Sequence, residues 1–349
     1  MPLRFSCCPY RLLFKHPFGT AHGLRDGTDA LFIRLEENGE VGYGEVTLPP
    51  YLTETVRDAI ERLRSVVSHG SWTGQTLYGS INYLPEFQEM GSGCRAGLTM
   101  ALIDLISKSR QVAVGELLNI SMVSEPVTLM TLGISPLEEL SAKLGELPKS
   151  GALKVKVGDT GSIERIRALR TLDSRKFLLD GNQGLRSVKE AVYLVQVAGP
   201  ERIMAFEQPF EGSMDELNHE LFEETGVDVV ADESVQTSGD LVAKRYMFNG
   251  VNIKLMKCGG LDRALALAEL ARTMDLKVML GSMSESSLGC TAMAQLASIA
   301  DIVDLDGPWL IKNDPFEGMG MENGKVISRD DRGLGVTLKA ELSFDCIGS

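Results

Sequence analysis

Lys154 and Lys156 stand in the run Ala152-Leu-Lys-Val-Lys-Val-Gly158, which is otherwise apolar enough for a core strand. At the two-residue period of a strand both ammonium groups point the same way. Lysine is almost never buried without a partner. Carboxylates are therefore expected beside the pair, and the pKa values of the two lysines should depend on each other. That arrangement can turn a lysine into a base at neutral pH. The rest of the chain supplies acids in the same way, at the ends of short apolar runs. Asp180 lies in Leu178-Leu-Asp-Gly-Asn-Gln183, Glu207 in Ala205-Phe-Glu-Gln-Pro209 and Asp232 in Val230-Ala-Asp-Glu-Ser234. Lys254 follows in Asn252-Ile-Lys-Leu-Met256, and Asp304 and Asp306 in Val303-Asp-Leu-Asp-Gly-Pro308.

The elements that carry these residues repeat. Expected strands are Val127–Gly133, Leu153–Gly158, Phe177–Asn182, Ile203–Pro209, Val227–Ser234, Val251–Lys257, Lys277–Ser282 and Ile302–Gly307. Their starts lie roughly 22–28 residues apart, one strand plus one helix, and eight such units close a (β/α)8 TIM-type barrel. Helices rich in Ala and Leu fit between them, as at Val188–Val197 and Ala264–Met274. An open doubly wound sheet would gather its polar residues at one switch point. Here they recur at nearly every strand end, which favours the barrel. Residues 1–115 differ: Leu31–Glu37 and Val41–Glu45 flank the hairpin signal Asn38-Gly39, and helices are expected near Glu54–Ser68 and Cys94–Gln111. The expected architecture is an α/β chain: an α+β capping domain at 1–115, a modified barrel at 116–320, and a segment at 321–349 returning to the cap.

Strands three, four and five of such a barrel are neighbours, so Asp180, Glu207 and Asp232 can converge. Three carboxylates this close repel unless a cation holds them, and an all-oxygen set suits Mg2+. Strands two and six are opposite in a ring of eight, which puts Lys156 and Lys254 on either side of that cation. A carboxylate substrate bound there has a lysine on each side of its α-carbon. One lysine can remove the α-proton, the metal can stabilise the resulting enediolate, and the other lysine can return a proton to the opposite face.

Composition excludes several other classes. The charge is 35 basic against 48 acidic residues, or −13, with no basic cluster, so neither nucleic acid nor an anionic membrane is an expected partner. No apolar run approaches membrane-spanning length. The opening residues lack the apolar stretch of a signal peptide, from which a cytoplasmic protein is expected. Cys7, Cys8, Cys94, Cys258, Cys290 and Cys346 show no zinc-type spacing and are expected as free thiols. None of the four histidines falls at an expected barrel-strand end. Gly259-Gly260 reads as a backbone turn and not a phosphate loop, and Glu233 as a charge outside the metal set.

Taken together, the Lys-Val-Lys strand, Asp-Gly-Asn-Gln, Glu-Gln-Pro, Ala-Asp-Glu-Ser and Asn-Ile-Lys-Leu-Met-Lys, in that order, resemble the enolase superfamily. The branch is that of muconate cycloisomerases, o-succinylbenzoate synthases and dipeptide epimerases; sites pairing a Lys or His base with Mg2+ are the general pattern of that superfamily. The resemblance implies one Mg2+ per subunit on Asp180, Glu207 and Asp232, with Asn182 behind them. It implies Lys156 and Lys254 as acid and base, and Lys154 binding the substrate carboxylate and holding down the pKa of Lys156. Loops near Pro17–Gly23 and Pro49–Thr55 would close over the substrate. Asp304 and Asp306 match the Asp-x-Asp with which dipeptide epimerases bind the substrate's α-ammonium, while Thr131, Ser282 and Ser284 match substrate-contacting positions. A dipeptide epimerase inverting the C-terminal residue is therefore implied, in a homo-oligomer as is common in the family. The alternative is another member of the branch, such as o-succinylbenzoate synthase, N-acylamino acid racemase or muconate cycloisomerase. Gly23 stands where the Ala–Glu type often carries a basic residue, with His22 and Arg25 on either side. A hydrophobic or mixed dipeptide is thus an alternative to one ending in glutamate.

Overall fold

The computed structural model describes residues 2–347 except 21–22, 50, 85–86, 88, 121–125, 148–150, 328 and 330–331. His22 and Pro50, both in the expected closing loops, lie outside the described residues.

Three antiparallel strands open the chain: β1 (Arg4–Thr20), β2 (Gly23–Glu37) and β3 (Glu40–Leu48). The β2–β3 turn is the expected two-residue one, with Asn38 at φ 52° and Gly39 at φ 88°. Positive φ at both positions matches the twist of the flanking strands, and Asn-Gly tolerates it best. The short strand Asp345–Cys346 pairs with β1, setting Ser6 opposite Cys346. Side chains of β2 alternate between two cores. Leu31, Ile33 and Leu35 pack with Leu63, Leu98 and Leu102 of the covering helices, whereas Ala30 and Phe32 join the large core that includes the barrel. The helix Ser92–Arg110 is buried along most of its length. It lies so close to β3 that a Cβ at Gly44 would come within 1.9 Å of the Gly97 carbonyl oxygen. Only glycine permits that approach.

The barrel strands are β4 (Leu129–Leu132), β5 (Ala152–Lys156), β6 (Phe177–Asp180), β7 (Ile203–Glu207), β8 (Val229–Ala231), β9 (Gly250–Ile253), β10 (Lys277–Gly281) and β11 (Ile302–Asp304). They are parallel and ordered by sequence. A parallel bridge from Thr128 to Val303 joins last strand to first, and Leu305 donates its N–H to the Thr128 hydroxyl at 2.9 Å. The sheet thus closes into the expected barrel. All eight strands fall within or beside the expected runs, but most are shorter at the C-terminal end. The clearest difference is the sixth, expected to reach Lys257. It stops at Ile253, and Leu255–Cys258 form one helical turn ended by Gly259 (φ 94°) and Gly260 (φ 126°).

The helix Ser92–Arg110 ties the first sheet to this turn. Arg95, 1% exposed, donates to both carboxylate oxygens of Asp262 (2.7 and 3.0 Å), to Asn82 (2.6 Å) and to the Gly259 carbonyl. Removing one partner of such a buried pair leaves the other uncompensated. Arg95→Ala is expected to lower unfolding free energy by about 3 kcal/mol, read as a shift of the urea midpoint at unchanged slope. A midpoint equal to wild type would contradict this.

Candidate active site

Six polar residues of the barrel interior each stand two positions beyond an apolar residue. Leu129, Ala152, Leu178, Ala205, Val230 and Ile302 belong to one buried cluster. Two residues further come Thr131, Lys154, Asp180, Glu207, Asp232 and Asp304. Because side chains repeat every second residue, these point the same way, above an apolar floor. Lys156 and Asp306 lie one step higher, and Lys254 follows the end of β9.

This arrangement lines a cavity of about 510 Å3 with Thr131, Lys154, Lys156, Asp232, Lys254, Ser282, Ser284, Asp304 and Asp306. Gly23, Leu24 and Arg25 of β2, with Pro49 and Tyr51 after β3, form its outer wall together with Met283 and Leu310. The cavity lies at the C-terminal ends of the strands, where barrel enzymes keep their sites. Asp180 and Glu207 are buried just beneath, paired in register across β6 and β7. Lys156 and Lys254 come from strands four apart in the ring of eight.

The lysines are bound into the acids. Lys154 Nζ lies 3.0 Å from Asp180, 2.8 Å from Glu207 and 2.8 Å from Asp304. Lys156 donates to Asp180 at 2.6 Å, and Lys254 to Asp232 Oδ2 at 2.7 Å. Burial works against ionising Asp180, but the ammonium groups of Lys156 and Lys154 outweigh it and hold the carboxyl at about 2. Burial, and then the charge of Asp180, push Glu207 up to about 7. Burial pulls Lys254 toward the neutral amine, but Asp232 overrides it and keeps the ammonium well above its ordinary value. A lysine held this way is not yet a base; it needs Asp232 drawn elsewhere.

Several residues that were not singled out in the sequence brace these groups. Gln208 accepts from the N–H of Asp232 (2.9 Å) and of Ser234 (3.2 Å), and donates to Phe210 O (3.0 Å). Its backbone sits at φ 34°, with Asn182 at 40° and Gln183 at 63°, a left-handed conformation that is rare outside glycine and clusters at functional sites. A following proline ordinarily favours extended backbone, so nothing in Glu-Gln-Pro signalled the left-handed Gln208. Asn252 donates to Glu207 Oε1 at 2.9 Å, and Lys257 contacts Asp232 Oδ1 at 2.6 Å. Glu233 also lines the cavity and is pushed up to about 7, first by burial and then by Asp232. Glu45 reaches from β3 to the loop after β10, accepting from Ser286 N (3.0 Å) and Gly289 N (3.0 Å) at a helix start. That anchors the segment bearing Ser282 and Ser284 to the N-terminal sheet.

The acids fit a divalent cation by their chemistry. Three buried carboxylates from adjacent strands form an all-oxygen donor set; among the described residues Glu233 Oε2 and Asn182 Oδ1 have no hydrogen-bond partner, while Glu207 Oε2 meets the Lys154 ammonium at 2.8 Å. Lysine ammonium groups stand among them, and no three acid, imidazole or thiolate groups among the described residues form a ready-made shell. Asp304 and Asp306 both reach the cavity although β11 ends at Asp304. Among the described residues Asp304 Oδ1 has no hydrogen-bond partner, and Asp306 Oδ2 accepts from Thr131 N at 2.6 Å. Ser282 is held by its backbone to Asp304 O at 3.1 Å.

A family profile described as Enolase C-terminal domain-like matches residues 141–342. The L-Ala-D/L-Glu epimerase of Bacteroides thetaiotaomicron is 31% identical over 96% of this chain and 88% of its own. The L-Ala-D/L-amino acid epimerase of a Maribacter species is 33% identical, over 96% and 99% respectively. Among solved structures, the dipeptide epimerase of Enterococcus faecalis complexed with Mg and L-Leu-L-Tyr superposes with a TM-score of 0.84. It is 26% identical and covers 97% of this chain and 100% of that one. Among the described residues no helix is long and apolar enough to cross a membrane.

Proposed function

The chain belongs to the enolase superfamily, and from that premise we propose that it is an isomerase that epimerises dipeptides at the C-terminal residue. The observation that carries the proposal is that Lys156 and Lys254, from opposite strands, line one cavity with a belt of carboxylates between them. Asp180, Glu207 and Asp232 would hold one Mg2+. When bound, Mg2+ supplies the charge that makes a proton next to a carboxylate removable. The protein's own residues do the rest. With a cation on Asp232, that carboxylate would hold the Lys254 ammonium less strongly, so Lys254 could lose a proton to solvent and, as the neutral amine, take the α-proton. Lys156 gives a proton to the opposite face, or the two exchange roles for the other diastereomer. Lys154 serves the substrate carboxylate, and Thr131, Ser282 and Ser284 border it.

Asp304 and Asp306 favour a dipeptide over the cycloisomerase and o-succinylbenzoate alternatives, whose substrates carry no ammonium. Two buried acids beside a cavity suit an α-ammonium. Burial, and then Asp304, push the Asp306 carboxyl up to about 7, against the hydrogen bonding of Thr131. Only its ionised form attracts an ammonium, so KM is expected to rise as pH falls below about 7, by about tenfold per unit at most. KM should rise again above the substrate amine's own pKa. Asp306→Asn should raise KM and remove the acid limb; an acid limb that persists in this variant would contradict the assignment.

The activity itself is tested in D2O with Mg2+ and a panel of L,L-dipeptides. The panel spans acidic and aliphatic second residues, because the outer wall carries Arg25 beside Leu24, Tyr51 and Met283. Deuterium should enter the α-position of the C-terminal residue, with a new diastereomer in the NMR spectrum. Absence of exchange across the panel would count against epimerisation.

A further inference from the structure

Lys257 is a buried cation with no place in the reaction just proposed. It is 3% exposed and sits on the single helical turn directly after Lys254. Its ammonium donates to Asp232 Oδ1 at 2.6 Å, Asp232 O at 2.6 Å, Asn252 O at 2.8 Å and Val235 O at 3.3 Å. An ammonium has three protons, so every one is committed. Three of these acceptors are backbone carbonyls on β9 or in the loop after β8, which side-chain rotation cannot move. Lys254 differs: its hydrogen bond to protein is to Asp232 Oδ2, and it borders the cavity.

Asp232 therefore carries two lysines with unlike roles. We propose that Lys257 is a positioning residue that holds Asp232 Oδ1 permanently, leaving Oδ2 alone to pass between the Lys254 ammonium and the bound cation. Without that anchor the carboxylate can turn about its χ angles, and both oxygens follow Lys254. With it, Oδ2 faces the cavity at all times, and loss of the Lys254 contact leaves a ligand oxygen already aimed. The Asp232 N–H bonded to Gln208 fixes the backbone on the other side. The position of Lys257 follows from Gly259-Gly260, whose positive φ values end the turn after one revolution. This inference rests on the cation and Lys254 roles proposed above.

Mn2+ binding, followed by electron paramagnetic resonance or calorimetry, separates it from the alternatives. Lys257→Met keeps the length of the apolar stem and removes the charge. Groups that orient a metal ligand typically alter affinity by about 10–100-fold, so Mn2+ affinity should fall at least about tenfold while the circular dichroism spectrum stays that of wild type. If Lys257 merely repelled the cation, its removal would tighten binding. If it served the fold alone, thermal stability would fall and affinity would not. Unchanged or tighter binding overturns the proposal. Lys257→Gln, which keeps donors for the carbonyls, is the second variant; failure of both to fold also overturns it. Wild-type protein that binds no Mn2+ would instead refute the metal reading, so the two failures are distinguishable.

Discussion

Lys156→Ala and Lys254→Ala are each expected to lose epimerisation by about 10^2–10^4-fold, the usual contribution of a positioned acid or base. Their exchange behaviour should differ. With two bases on opposite faces, each variant retains the lysine that faces one diastereomer. It should still wash deuterium into that diastereomer and leave the other untouched, and the two variants should show opposite preferences. The geometry behind this is the placement of β5 and β9 four strands apart around a closed ring. Ordinary structural lysines give no such pattern. Equal residual exchange of both diastereomers in both variants would mean that the lysines share a face or do not act on the α-proton.

Glu207→Gln should cost nearly everything in catalysis. The side chain is fully buried, with Oε1 bonded to Asn252 and Oε2 close to Lys154. An amide fills the same space but turns an NH2 toward one of these two donors, so some folding stability is lost as well. It offers a cation only a neutral oxygen, and a bound metal supplies several kcal/mol of transition-state stabilisation. A loss on the order of 10^3-fold in kcat follows from about 4 kcal/mol. The wild type should also gain thermal stability on adding Mg2+, because a ligand that binds only the folded state stabilises it. Glu207→Gln should lose that gain. A variant that keeps both activity and the Mg2+ shift would remove Glu207 from the metal set.

The barrel and its polar belt were legible because both obey short rules. Strand runs recur at one spacing, and Thr131, Lys154, Asp180, Glu207, Asp232 and Asp304 each follow an apolar interior residue at i+2. Asp180, Glu207 and Asp232 could be read as neighbours because parallel barrel strands keep sequence order. Lys257 could not be placed. Val251–Lys257 is uniformly suited to a strand, and only the glycines after it force a helical turn. The partners of Lys154 were also hidden: a strand pattern gives the side of the sheet, not which of three acids the ammonium meets. The helix Gly74–Ser80 was missed for its two glycines, although Thr73 and Thr76 cap it reciprocally, a readable signal. The outer wall was legible in part, since Gly23, Pro49 and Tyr51 belong to the two loops expected to close over the substrate. Arg25 reaches the cavity from β2 and Tyr51 from the loop after β3, a relation between distant parts of the chain that a local pattern does not give.

The most direct test is a crystal structure of the protein with Mn2+ and a turned-over dipeptide, using anomalous scattering to locate the metal. The expected result is one strong peak bounded by Asp180, Glu207 and Asp232, with Lys156 and Lys254 on opposite faces of the dipeptide's C-terminal α-carbon. A peak away from those acids, or both lysines on one face, would contradict the account.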